Sequence, residues 1–121
     1  MVGIMAKNFT IYHNPRCSKS RQTLALLEEN GIQPEIVLYL DTPPNKSALK
    51  GVLEKLGISP RELLRKGEDA YKAKKLSDSS LSDSKLLQAM IDEPKLIERP
   101  IVITGGKAVL GRPPENVLSL L

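Results

Sequence analysis

The sequence has 121 residues, 40% of them hydrophobic and 26% charged, with a net charge of +4. That length suits one domain with a core of its own, and the absence of low complexity and of single-sign charge blocks excludes a disordered chain. No apolar run approaches the roughly 18 residues that a membrane span needs, and no basic cluster interleaves with the few aromatics (3%), so neither a membrane nor a nucleic-acid partner is expected.

The first stretch, Met1 to Lys7, is too short for the apolar region of a signal peptide. The chain has a single cysteine, which cannot form an internal disulfide. Both features predict a cytoplasmic protein.

Phe9–His13 ("FTIYH") is rich in β-formers and stops at the turn signal Asn14-Pro15, which predicts a first strand. Ser18 to Asn30 holds good helix formers, with Leu24 and Leu27 on one face and Gly31 as the stop. Glu35–Leu40 ("EIVLYL") is a continuous apolar run, the pattern of a strand covered on both faces. Together they predict a βαβ unit with parallel strands.

The middle third reads as helical. Leu49, Val52, Leu53 and Leu56 recur at i, i+3, i+4 and i+7, and Gly57 ends that helix. "ISPRELLRK" carries Ser59 as N-cap, Pro60 as first helical residue and Glu62 as capping-box partner, with Ile58 and Leu63 placed to staple the turn. Tyr71 to Ser80 reads as a polar loop. Ser82 then caps a further helix, with Leu86, Leu87, Met90 and Ile91 as its apolar face and Pro94 as its stop.

"IVIT-GG-KAVL" (Ile101–Leu110) predicts a hairpin around Gly105-Gly106, and Pro113-Pro114 starts a final helix. The order β-α-β, helices, β-β-α matches an α/β fold. The expected architecture is a thioredoxin-like mixed sheet in one domain over residues 1–121, with a helical insertion at about residues 44–93 between the βαβ unit and the C-terminal ββα unit.

Cys17 sits at the predicted start of the first helix. Partial positive charge and unpaired N–H groups collect at such a place, and Arg16, Lys19 and Arg21 add full charges. Ser18 and Ser20 offer hydroxyls. All of these favour a thiolate, the nucleophilic form, whereas a merely structural cysteine would have apolar neighbours.

A C-x-x-C pair is excluded by Ser20, and a phosphatase-type loop of cysteine, five residues and arginine by Thr23. His13 is the only histidine, so His13 and Cys17 make two ligands where a zinc site wants three or four, and no metal site is expected.

Six arginines stand against twelve lysines, and Arg99 and Arg112 directly precede prolines, which holds them extended. Guanidinium groups bind tetrahedral oxyanions bidentately. Arg65, Arg99 and Arg112 are therefore either anion ligands gathered on Cys17 or solvated surface charges, and the residues alone leave both open.

The blocks "YHNPRCSKSRQTL", "YLDTPP", "ELLRK", "RPIVIT" and "GRPPENVL" resemble, in order and spacing, the glutaredoxin-coupled arsenate reductases of the thioredoxin fold, from about Thr10 to Leu121. The resemblance implies that Cys17 attacks arsenate, that Arg65, Arg99 and Arg112 bind the oxyanion, and that His13, Ser20 and Arg21 support the cysteine. It also implies that glutathione and glutaredoxin finish the reduction as external thiols, with no bound cofactor, and that the Arg99-Pro100 bond is cis. Around the cysteine, "NPRCSKSR" departs from the small residues of the best-studied resistance enzymes, because Arg16 and Lys19 add charge there. Two other readings compete: a thiol oxidoreductase of the same fold with another substrate, and a non-catalytic regulator that binds RNA polymerase.

Overall fold

The β-branched and aromatic segments pair into one sheet, in the computed structural model that describes residues 8–121. The reading of Met1 to Lys7 lies outside the described residues. The chain divides into two compact units, one formed by the residues up to Leu38 together with Arg99–Leu121, the other by Tyr39–Glu98.

The first unit holds strands β1 (Phe9–Tyr12), β2 (Glu35–Val37), β3 (Ile101–Thr104) and β4 (Lys107–Leu110), and helix α1 (Ser18–Glu29). Their order is β2-β1-β3-β4. β1 and β2 run parallel, with Ile11 opposite Ile36. β1 and β3 run antiparallel, with Ile11 opposite Val102, and the β3–β4 hairpin turns at Gly105, which takes φ 58°.

Alternation along β1 and β3 sends Phe9, Ile11 and Val102 into a core with Leu27 of α1 and with Val117 and Leu120. Burying each such side chain is worth about 1.5–3 kcal/mol. The chain closes with a 3₁₀ segment, Pro114–Leu120, packed against α1, where an ordinary helix was expected.

β2 corrects a second expectation. It is an edge strand of three residues, and Ile36 and Leu38 are 46% and 40% exposed. The apolar run signals β-forming residues correctly; which faces are covered depends on strand order, which the run does not encode.

The second unit is helical: α2 (Lys46–Leu56), α3 (Pro60–Leu63), α4 (Asp69–Ala73) and α5 (Asp83–Asp92), then a 3₁₀ turn at Pro94–Leu96. Asn45 caps α2, Gly57 closes it in the left-handed region at φ 71°, and Ser82 caps α5. Leu49, Leu63, Leu86, Met90 and Leu96 are fully buried.

The capping box at Ser59 and Glu62 forms as its spacing predicts, but α3 stops after one turn. Leu64 leaves it extended and makes an antiparallel bridge to Ile97. The polar stretch expected as a loop begins inside α4, which includes Tyr71–Ala73. The whole is an α/β, thioredoxin-like mixed sheet, with helices inserted in sequence between the βαβ and ββα halves.

Candidate active site

The turn after β1 is built to present the thiol. The Asn14 side chain accepts from the Arg16 backbone N–H at 3.0 Å, and its carbonyl accepts from the Cys17 N–H at 3.0 Å. Cys17 is thereby fixed as the N-cap of α1, half-buried and extended.

The neutral thiol makes no side-chain capping bond of its own. Burial pushes the thiol pKa up, but the Ser20 N–H, the Arg99 guanidinium and the Lys19 N–H together outweigh it and hold the pKa below the ordinary cysteine value. The helix N-terminus thus acts through two of its unpaired donors, and Arg99 adds a full charge.

Arg99, just before β3, lies close enough to Cys17 for its guanidinium to favour the thiolate, and its buried Nε has no hydrogen-bond partner among the described residues. The Arg99–Pro100 bond is cis, as is Arg112–Pro113. Arg112 Nη1 donates to the Arg99 carbonyl at 3.3 Å, which brings the second proline-linked arginine to the backbone of the first.

Gly111 is what lets the strand exit approach α1. A Cβ there would stand 2.5 Å from Thr23 Oγ1 and 2.8 Å from Pro100 Cγ. Buried Thr23 donates to the Lys19 carbonyl at 2.8 Å, and Gly111 N–H donates to the Pro100 carbonyl at 2.9 Å.

Ser20 is fully buried. Its hydroxyl accepts from the Asn14 N–H at 3.0 Å and lies 2.8 Å from His13 Nδ1. Burial, and then the Arg21 charge, lower the His13 pKa, so the ring is neutral at pH 7. Arg21 itself donates to the Pro15 carbonyl at 2.7 Å and braces the turn.

Arg65 lies in the helical unit, just after the Leu64–Ile97 bridge. Its Nη1 donates to Glu98 at 2.6 Å and its Nε to Glu68 at 3.4 Å. The sequence reading missed both carboxylates. Glu98 stood in view directly before Arg99, but its pairing spans 33 residues and follows no helical or strand spacing. It also missed Thr23 and Gly111, whose fit is a matter of packing.

A mixed four-stranded sheet with a cysteine at the N-cap of its first helix, its thiol pKa lowered by backbone N–H groups and a guanidinium, defines a thioredoxin-like protein with an activated thiol. The chain belongs to the ArsC family, the arsenate reductases, whose family model matches residues 12–120. It is 59% identical over 118 residues to the uncharacterized protein YfgD of Escherichia coli K12, covering 97% of this chain and 99% of that one. It is 53% identical over 112 residues to an arsenate reductase of Neisseria meningitidis serogroup A, covering 92% and 96%. Among solved structures, the arsenate reductase from Vibrio cholerae superposes with a TM-score of 0.94 at 52% identity, covering 96% of this chain and 99% of that one.

Proposed function

We propose that this protein is a cytoplasmic arsenate reductase with Cys17 as nucleophile and Arg65, Arg99 and Arg112 as oxyanion ligands. The observation that carries the reading is Arg99, a guanidinium close enough to lower the Cys17 pKa, whose buried Nε–H is still unpartnered among the described residues. One cation then serves both the thiolate and an incoming anion.

The Cys17 thiolate attacks arsenic(V) and a protonated oxygen leaves as water, giving a cysteine–arsenate adduct. Glutathione displaces a second oxygen as water. Glutaredoxin's thiolate attacks the glutathione sulfur, and the electron pair of the broken sulfur–arsenic bond reduces arsenic(V) to arsenic(III). Water then releases arsenite and regenerates the Cys17 thiol. The lone cysteine supports an external resolving thiol, since no second one is available in the chain. His13, Ser20 and Arg21 support the thiol by holding the turn and the start of α1.

The test is a coupled assay with arsenate, glutathione, glutaredoxin, glutathione reductase and NADPH. Wild-type protein should consume NADPH in an arsenate-dependent way that fails when glutaredoxin is omitted. Cys17→Ser should abolish turnover with the circular dichroism spectrum unchanged. Substantial turnover by a folded Cys17→Ser protein would overturn the nucleophile assignment.

A further inference from the structure

Arg65 is already held by two carboxylates. A guanidinium offers two edges for bidentate binding, Nε with Nη2 and Nη1 with Nη2. Each has one N–H committed, Nε to Glu68 and Nη1 to Glu98. The three side chains are 22–27% exposed, so their attraction is only partly screened, and together they carry a net charge of −1.

The clamp is anchored in the backbone as well. Arg65 N–H donates to the Leu96 carbonyl at 2.8 Å and Glu98 N–H to the Leu63 carbonyl at 2.9 Å, so Arg65 and Glu98 leave opposite sides of one short antiparallel bridge. An oxyanion that takes the Nε–Nη2 edge of Arg65 must displace Glu68, and one that takes the Nη1–Nη2 edge must share Nη1 with Glu98. Every anion bound there does so against that competition.

We propose that Glu98 and Glu68 compete with the oxyanion for Arg65 and so set the affinity of the site. This rests on the reading of Arg65 as an oxyanion ligand. Neither carboxylate touches the reacting atoms; both act through Arg65. Glu98→Gln keeps an oxygen acceptor for Nη1 and removes the charge, which separates competition from mere placement of the arginine.

The expected result for Glu98→Gln is a KM for arsenate about three- to fivefold lower, with kcat little changed, the size a partly exposed ion pair allows. Inorganic phosphate should protect Cys17 from alkylation at correspondingly lower concentration, which reads binding without turnover. Glu68→Gln, at the longer contact, should give about a twofold drop and serves alone if Glu98→Gln does not fold. In an Arg65→Ala background neither substitution should have an effect. Unchanged or weaker anion binding in both glutamine variants, or the same gain without Arg65, would overturn the proposal. If arsenate is not turned over and neither anion protects wild-type Cys17, the oxyanion reading itself falls, and this inference with it.

Discussion

Arg99 has a different task from its neighbours in charge. Arg16, Lys19 and Arg21 also surround the thiol in sequence, but the cation whose charge lowers the thiol pKa is Arg99, alongside the N–H groups of Ser20 and Lys19. Removing it leaves burial opposed by the helix N-terminus alone. Arg99→Ala should therefore move the alkylation–pH curve of Cys17 to higher pH, measured with iodoacetamide on folded protein. An unmoved curve would show that the helix N-terminus suffices. The polar and cationic setting of Cys17 was legible in "NPRCSKSR", whereas the residues alone left Arg99 open between an anion ligand and a surface charge, and only the family resemblance pointed to it. The carboxylates on Arg65 were not legible, because what brings Glu98 to Arg65 is a bridge between Leu64 and Ile97 that neither segment announces.

Element boundaries were readable wherever a local signal fixes them. Ser59 and Ser82, read as caps from the sequence, each accept a backbone N–H at a helix start, as does Asn45, which the sequence reading did not single out, and Gly57 ends α2 in a conformation that costs other residues more. The Ser59 box is the most complete. The Ser59 hydroxyl accepts from the Glu62 N–H at 3.3 Å, and the Glu62 carboxylate accepts from the Ser59 N–H at 3.1 Å and hydroxyl at 3.0 Å. Ser59→Ala removes one side of that exchange and should destabilise the protein by about 1 kcal/mol. Urea unfolding would show this as a lower midpoint at unchanged m-value. Elements whose limits depend on distant partners were less legible. α3 ends after one turn because Leu64 turns to Ile97, and β2 is exposed because it lies at the sheet edge.

At the scale of the whole molecule, two groups of the same turn make stability depend on pH in the same direction. His13 has a folded pKa below its ordinary 6.5, first because it is buried and second because of Arg21. Below pH 6.5 the unfolded chain takes up a proton that the folded ring resists. The unfolded state then binds more protons, and stability falls as pH falls toward the folded pKa; above 6.5 neither state is protonated and this contribution is fully present. Cys17, lowered from 9.0, gives the same sign at the alkaline end. Between its folded pKa and 9.0 the folded protein has lost a proton that the unfolded chain keeps, so stability rises with pH through that window. Urea midpoints measured from pH 5 to 9 should therefore climb in two steps. His13→Gln should flatten the acid step and Cys17→Ser the alkaline one, each leaving the other in place. A single step, or one variant removing both, would mean that the two groups titrate as a coupled pair through Ser20, whose hydroxyl faces His13 and whose N–H faces the sulfur.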